Sequence, residues 1–160
     1  MGYEPKRIDM TISLVSRDII QVSGERTPDA RDKVQLSELM SAAYHGTADD
    51  EGETPEQALA EIEKTYAGEY GPFMPNCSRV VEREGRVVSA TLITGWEGRP
   101  FVAFAMTHPD WKRQGLARAG MVNAMAALHA QGESLLSLVV TLKNEPAYSL
   151  YKSLGFVSGR

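Results

Sequence analysis

The chain has 160 residues, of which 42% are hydrophobic and 24% charged, and its formal net charge at pH 7 is −4. This length suits one domain with a sizeable core, so we expect a single domain over residues 1–160. The composition is ordinary for a globular protein and excludes a fibrous or disordered one. Seventeen Lys and Arg stand against 21 Asp and Glu. This balance argues against a nucleic-acid partner, because phosphate contacts are made mainly by cations.

Cysteine usage and apolar runs bound the location of the protein. Cys77 is the only cysteine, so an internal disulfide is excluded and a structural thiol is the simplest interpretation. The start from Met1 to Pro5 has no apolar stretch like that of a signal peptide. The apolar runs all end well short of about 18 residues, the length that spans a membrane. We therefore expect a cytoplasmic protein with no membrane partner.

The first predicted elements are strands and two helices. Residues Met10 to Gly24 are rich in Ile, Val and Thr and predict one or two strands at the opening edge of a sheet. Apolar residues recur at helical spacing from Asp29 to Tyr44, and Gly46 supplies a stop. The run Thr54-Pro55-Glu56-Gln57 has a capping-box pattern, which predicts a second helix that ends at about Ala67.

Three strands are predicted next, from Arg79 to Glu84, from Arg86 to Trp96 and from Phe101 to Thr107. The Glu-Gly pairs at 84–85 and 97–98 mark hairpin turns. This pattern indicates an antiparallel meander.

A helix, a strand and a helix complete the predicted order. Residues Gln114 to Ala130 carry an apolar helical stripe. Residues Leu135 to Thr141 are almost continuously apolar, which predicts a central strand covered on both faces. The last helix begins near Asn144 and ends at Gly155. The order predicts an α+β fold with a mixed sheet, whose late strand-helix-strand unit binds the cofactor.

A cationic loop lies between the third meander strand and the next helix. The run from His108 to Ala117 places Lys112, Arg113 and Gly115 beside the free N–H groups of the first helical turn, and such a terminus binds anions. Gly115 lets a phosphate approach the backbone. The loop has neither a P-loop ending nor a Gly-x-Gly-x-x-Gly pattern. It predicts a pyrophosphate site, with a plain basic turn as the alternative.

Two motifs resemble those of the GNAT superfamily of acyl-CoA-dependent N-acetyltransferases. Lys112 to Ala117 is similar to the family's Gln/Arg-x-x-Gly-x-Gly/Ala, except that lysine replaces the first residue and loses the bidentate fork of arginine. Asn144 to Phe156 resembles the family's Asn-x-x-Ala-x-x-Leu-Tyr-x-x-x-Gly-Phe. With the order of elements, the resemblance covers roughly Leu36 to Phe156.

The resemblance implies a mostly antiparallel mixed sheet flanked by about four helices, with a splayed V between the family's fourth and fifth strands. It implies a bulge near Met106 and Thr107 in the fourth strand, whose backbone groups bind the thioester carbonyl and the pantetheine. Acetyl-CoA is the implied co-substrate, and no metal is implied. The implied coenzyme-binding residues are Met106, Thr107, Lys112, Arg113, Gln114, Gly115, Leu116, Ala117, Asn144, Ala147 and Tyr151.

The last helix carries the implied catalytic residue. Ala147 and Tyr151 are four apart and share a helix face, so the small alanine leaves room for pantetheine beside the phenol. The resemblance makes Tyr151 the general acid, because a phenol of pKa near 10 can protonate a departing thiolate whose thiol has a pKa near 8.5. Capping alone would explain Asn144. Trp111 and Tyr148 are expected to pack.

The implied reaction is direct attack of a neutral primary amine on the acyl carbon. Several family members have a glutamate base on the fourth strand, but residues Phe101 to Met106 contain no ionisable group. The base therefore stays unassigned. Its candidates, for each of which surface charge is the simpler explanation, are Glu82, Glu97, His45 and Glu69.

The acceptor is expected to be a small-molecule amine or an amine of a protein or peptide. An acidic run borders the acceptor cleft of the resembled fold and would attract a polyamine, an aminoglycoside or a lysine side chain. Carboxylates also complement a helix N-terminus, which is the simpler account. The run comprises Asp49, Asp50, Glu51 and Glu53.

The sheet edge and the function class leave alternatives open. Arg160 follows Phe156 by four residues, whereas members of the resembled family continue into a further strand, so we expect one sheet edge to lack a partner. Either the segment from Met10 to Gly24 or a second protomer, in a homodimer, should cover it.

A non-catalytic acyl-CoA-binding or regulatory domain and a dimerising interaction module are the alternative functions. Tyr151 argues against the former, and the missing strand carboxylate argues for it.

Overall fold

The computed structural model describes residues 6–47 and 50–158. Within these ranges a seven-stranded sheet has the order β2-β3-β4-β5-β6-β1-β7. Neighbouring strands are antiparallel except β5 and β6, so the predicted mixed, mostly antiparallel sheet is confirmed. The elements are β1 (Arg7–Ser13), β2 (Glu25–Arg26), α1 (Lys33–Tyr44), α2 (Pro55–Ala67), β3 (Arg79–Arg83), β4 (Arg86–Trp96), β5 (Arg99–Thr107), α3 (Leu116–Ala130), β6 (Leu135–Thr141), α4 (Glu145–Leu154) and β7 (Val157–Ser158).

The helices cover the two faces of the sheet in pairs. On β4, the adjacent residues Leu92 and Ile93 point to opposite faces and join different apolar clusters. Leu92 packs with α1 and α2, and Ile93 packs with α3, whose cluster also contains Tyr151 and Leu154 of α4. Among the described residues, no helix has the length and apolarity that a membrane span requires.

The two parallel strands part almost as soon as they meet. β5 and β6 pair at a single position, Phe101 with Ser137. Beyond it they diverge, which confirms the predicted V. These strands are β5 and β6 rather than the fourth and fifth because two strands, β1 and the short β2, precede the three strands of the meander.

A bulge in β5 lies at Ala103. Leu92 of β4 pairs with Phe104 and Ile93 pairs with Val102, so Ala103 has no partner on β4. Val102 consequently packs on the α3 face, whereas Phe104, two residues later, packs on the α1 face. The extra residue reverses the sheet face to which each later side chain of β5 points.

The bulge predicted near Met106 and Thr107 is wrong in position. Met106 pairs with Ala90 and Thr107 with Ser89 in an uninterrupted register. The Met106 side chain is 3% exposed and belongs to the core under α1. It reaches that core because the strand has already shifted phase at Ala103. The sequence of β5 has no glycine to mark the bulge.

The N-terminal strand also differs from its prediction. It runs from Arg7 to Ser13 and ends well short of Gly24. It pairs with the whole of β6 on one side and with β7 on the other, so it is not the outermost strand. β1 thus covers the edge of β6, and a second protomer is not required there. The homodimer stays a prediction.

β6 is covered on one face only. Leu136, Leu138 and Val140 are buried against α3 and α4. On the other face Val139 is 43% exposed, and Leu135 is half-buried. The prediction of a strand buried on both faces is therefore wrong. The continuous apolar run exists because the second face lines a cleft.

The loop after α2 is clamped onto the end of β4. The Gly95 N–H donates to the Pro72 carbonyl and the Met74 N–H donates to the Ile93 carbonyl, each at 2.9 Å. Gly71 has φ of +108°, and a Cβ there would lie 1.6 Å from the Gly95 carbonyl oxygen. Only glycine fits this approach.

We predict that Gly71→Ala destabilises the protein through this clash. A Cβ at Gly71 meets backbone, whereas one at Gly85, also at positive φ, meets nothing within 4 Å. The Gly71 variant should lose about 2 kcal/mol more of unfolding free energy than Gly85→Ala. Thermal melts should show a Tm difference of about 4–8 °C between them. Equal Tm values would contradict the close approach.

Candidate active site

The V between β5 and β6 opens into a cleft of about 390 Å³. Three of the predicted site residues, Asn144, Ala147 and Tyr151, line it together. β5 contributes the bulge and its neighbours, and β6 contributes its open face. The α1–α2 side of the sheet supplies Tyr44, Glu51, Glu53 and Glu61. One cleft therefore reaches from the face of α4 to the face of α2.

Tyr151 is held by its own helix. Its residue surface is 8% exposed, and its ring meets Phe156 edge-on with 5.8 Å between the centroids. The helix ends at Leu154 and is capped by Gly155, whose φ of +111° lets the chain turn Phe156 back under the tyrosine. The ring orientation is thereby fixed while the residue lines the cleft.

Asn144 caps α4, as the sequence predicts. Its side-chain oxygen accepts the Ala147 N–H at 3.4 Å. The cap sets where the helix begins, so it also sets the height of Ala147 and Tyr151 in the cleft.

The cationic loop forms a concave backbone at the start of α3. Lys112, Arg113, Gln114 and Gly115 are all exposed. Arg113 has φ of +65° and Gly115 has φ of +78°. Left-handed residues alternating with right-handed or extended ones turn successive N–H groups toward one point, which is an arrangement that binds anions.

The N-terminus of α3 lacks a side-chain cap. Thr54 caps α2 and Asn144 caps α4, but no side chain of the described residues caps α3 at Gly115. Its first turn also has no acidic residue. The free N–H groups and the positive end of the helix dipole are therefore open to an anion.

Leu116 holds this turn against the sheet, and Ala117 beside it is half-buried. Leu116 is buried beside Val81 and Val88, with Trp111 packed on the same cluster. Only the backbone of Leu116 can meet a ligand. Trp111 packs as the sequence predicts.

A contact that the sequence did not indicate ties α3 to α4. The Arg118 guanidinium donates a hydrogen bond to the Ser153 hydroxyl. The Ser153 hydroxyl donates in turn to the Leu150 carbonyl at 2.7 Å. The helix that follows the cationic loop is thus joined directly to the Tyr151 helix.

The remaining predicted residues lie outside the cleft. Ala103, Phe104 and Ala105 are the β5 residues after Val102 that line it, and Met106 and Thr107 are not among them. The Thr107 and Ser89 hydroxyls share a hydrogen bond of 3.1 Å. The loop from Lys112 to Ala117 is also separate from the cleft.

None of the four base candidates lines this cleft. Glu82 is paired with Arg26 at 2.9 Å on the far side of the sheet. Glu97 lies in the β4–β5 turn beside a second cavity. The His45 side chain is 89% exposed, and Glu69 is exposed as well.

Glu61 is the carboxylate that the sequence analysis missed. It lines the cleft, and its Oε1 accepts a hydrogen bond from the Tyr70 hydroxyl at 2.8 Å. A signal was present in α2, where Ala58, Ile62 and Thr65 form the buried stripe. Glu61 falls within that stripe, and a carboxylate on the apolar face of a helix is unusual unless it has a polar partner.

The acidic run divides into residues with different surroundings. Asp49 lies outside the described residues. Asp50 accepts the N–H groups of Gly46 and Gly52, each at 2.8 Å, and these bonds hold the pKa of its carboxyl below the usual value. It orders the loop. Glu51 and Glu53 line the cleft, and Glu51 is paired with Arg7 at 3.3 Å.

Comparison with known proteins extends these observations. Residues 35–156 match the model of the Acetyltransferase (GNAT) family. No curated protein sequence matches the chain significantly.

Solved structures share the fold at low sequence identity. A GCN5-related N-acetyltransferase from Sphaerobacter thermophilus has a TM-score of 0.73 and 18% identity over 99% of this chain, which spans 50% of that one. The PaiA N-acetyltransferase from Thermoplasma acidophilum, solved with coenzyme A, has a TM-score of 0.66 and 14% identity over 83% of this chain and 88% of its own. The diaminobutyrate acetyltransferase EctA from Paenibacillus lautus, solved with L-2,4-diaminobutyric acid and coenzyme A, has a TM-score of 0.60 and 19% identity over 81% and 72%.

We predict that Asn144→Ala lowers the free energy of unfolding by about 1 kcal/mol, because the Ala147 N–H loses its acceptor. Asn144→Ser keeps a capping oxygen and should lose much less. Urea unfolding of the two variants and the wild type measures the difference. Equal stability of the alanine and serine variants would exclude a capping role.

Proposed function

Since the chain belongs to the acetyltransferase (GNAT) family, we propose that it transfers an acetyl group from acetyl-CoA to a primary amine. The observation that carries the proposal is the cleft in the V, where Asn144, Ala147 and Tyr151 face the bulged strand β5. Two solved relatives of the same fold hold coenzyme A.

The pyrophosphate of the coenzyme fits the start of α3. Its N–H groups have no cap from the described residues, and Lys112 and Arg113 add positive charge at the exposed surface. Gly115 leaves the approach open, because no atom lies within 4 Å of the position a Cβ would take. Gln114, Leu116 and Ala117 would contribute through their backbone.

The pantetheine arm would then follow α4 into the V. Ala147 is small and partly exposed, and it lies one turn before Tyr151. At Ala103 the bulge breaks the ladder with β4, so backbone groups near it can bind the thioester carbonyl. Met106 and Thr107, farther along β5, would act through backbone groups only.

In the proposed reaction Tyr151 is the general acid. The coenzyme supplies an activated acyl group, and the phenol hydroxyl gives its proton to the departing sulfur. The buried ring, fixed by Phe156, keeps that hydroxyl oriented without further reorganisation.

The acceptor would enter from the α2 side, where Glu51, Glu53 and Glu61 line the cleft. We propose a small-molecule or peptide amine that carries positive charge, which these carboxylates would attract. One solved relative holds a diamino acid. A homodimer, a single domain over residues 1–160 and a cytoplasmic location complete the proposal.

Turnover of acetyl-CoA with a broad panel of amines tests the function, with released thiol as the readout. Thiol release that depends on the amine supports the transferase. Calorimetric binding of acetyl-CoA without turnover would favour a non-catalytic binding domain. The absence of binding would leave only an interaction module.

We predict that acetyl-CoA raises the Tm of the wild type by mass action and that Gly115→Glu abolishes this shift. The new carboxylate would stand against the pyrophosphate. Gly132→Glu is the matched control, because Gly132 also has positive φ and open space but lies beyond the other end of α3. A normal shift in a folded Gly115→Glu variant would refute the coenzyme site.

We predict that Tyr151→Phe lowers kcat by about 10²-fold while the Kd for acetyl-CoA stays nearly constant, because the phenol acts on the leaving thiolate. Tyr148→Phe is the control, since Tyr148 is on the same helix but outside the cleft. Steady-state kinetics with a verified acceptor measure both variants. Unchanged kcat in Tyr151→Phe would remove the tyrosine from the mechanism.

A further inference from the structure

We propose that Glu61 takes the proton from the acceptor ammonium and that Tyr70 positions its carboxylate. This inference rests on the proposed transferase function. It assigns the general base, which β5 does not supply because it has no ionisable residue between Phe101 and Met106.

Glu61 is placed by a well-defined helix. The Thr54 hydroxyl accepts the Gln57 N–H and the Gln57 side chain accepts the Thr54 N–H, so α2 begins at a fixed residue. Ile62, next to Glu61, is fully buried and anchors the turn against the sheet. The carboxylate therefore has little freedom to leave the cleft that it shares with Tyr151.

Tyr70 restrains the carboxylate from the other side. Its hydroxyl donates to Glu61 Oε1 at 2.8 Å. Burial, together with this hydrogen bond, raises the pKa of Tyr70 to about 12, so the phenol stays a donor. The backbone of Tyr70 is held because Gly71 packs directly on Gly95. One carboxylate oxygen is thus committed, and the carboxylate has a second oxygen with which to accept from an ammonium.

The Glu61–Tyr70 pair lies where two cavities adjoin. Tyr70 lines a second cavity of about 1070 Å³, which Trp96 also lines. This larger cavity and the cleft share wall residues from the V, namely Phe101, Ala103, Phe104, Leu138 and Val139. An acceptor can therefore place its amine at Glu61 while a larger, partly apolar body occupies the second cavity.

The other carboxylates of the cleft are less suited to act as the general base. Glu51 is paired with Arg7, and both side chains are largely exposed. Glu53 lies before α2 begins, without the helical support of Glu61. Among the described residues that line the cleft, Arg7 is the single Lys or Arg, so the described carboxylates outnumber the cations there. This balance favours a cationic amine.

The proton transfers balance with no oxidant or reductant. Glu61 accepts one proton from the ammonium, and the neutral nitrogen forms the C–N bond. The C–S bond then breaks, and the sulfur receives the proton of Tyr151. The nitrogen loses its second proton through water to the Tyr151 phenolate. Glu61 returns its proton to solvent, so each turnover releases one proton.

The test compares two acceptors that differ in basicity. One is the best strongly basic amine of the panel, and the other is its β,β-difluorinated analogue, assayed at a pH between the two ammonium pKa values, where the analogue is neutral and the basic amine is charged. Glu61→Gln should lower kcat by about 10²-fold with the basic amine, yet by less than about threefold with the analogue, which needs no deprotonation before attack. The acetyl-CoA Tm shift should stay unchanged.

Matched variants separate positioning from structure. Tyr70→Phe should lower kcat with the basic amine by about tenfold, because the Glu61 carboxyl group is retained but loses its orientation. Glu61→Asp should recover part of the activity. Glu63→Gln, on the same helix at an exposed position, should behave as the wild type.

Three results would overturn the inference. Wild-type kcat in Glu61→Gln with the basic amine would exclude a role in deprotonation while the transferase function stands. Equal losses with both amines would indicate a structural role for Glu61. A wild-type protein that releases no thiol with any amine would overturn the transferase function and the inference together.

Discussion

The single backbone pairing between Phe101 and Ser137 is the constraint on which the site depends. Parallel strands that stayed paired would fill the gap between β5 and β6 with a hydrogen-bonded ladder. Because they part at once, a gap opens within the sheet. The strands on either side stay in place, because β5 is paired with β4 and β6 is paired with β1. The cleft is therefore an opening through a rigid sheet, with different helices at its two ends.

The bulge at Ala103 lets β5 contribute side chains to both apolar cores. Val102 belongs to the core under α3, whereas Phe104 and Met106 belong to the core under α1. A regular strand would have sent Val102 and Phe104 to the same face. The extra residue lets β5 serve both cores and leaves its backbone irregular beside Tyr151 in the cleft.

Charge is distributed over the site in a way that suits two unlike ligands. At one end, outside the cleft, the start of α3 presents N–H groups that no described side chain caps, together with Lys112 and Arg113; at the other end, the α2 side of the cleft presents carboxylates, among them Glu61. An anionic ligand and a cationic ligand would therefore be drawn to opposite ends. The hydrogen bond between Arg118 and Ser153 keeps the cationic end in register with the Tyr151 helix.

The sequence by itself determined the local elements, the family motifs, and the cap and tyrosine of α4, because capping boxes, Glu-Gly turns and apolar periodicity act within a few residues of the chain. The position of Glu61 on the buried stripe of α2 is also visible in the sequence pattern. Only the tertiary structure decided where the bulge falls, which face of β6 stays open, that β1 covers β6, and that Tyr70 meets Glu61. Each of these depends on pairing or packing between segments distant in sequence. An apolar run such as Leu135 to Thr141 has the same sequence pattern whether its second face packs on a core or lines a cleft.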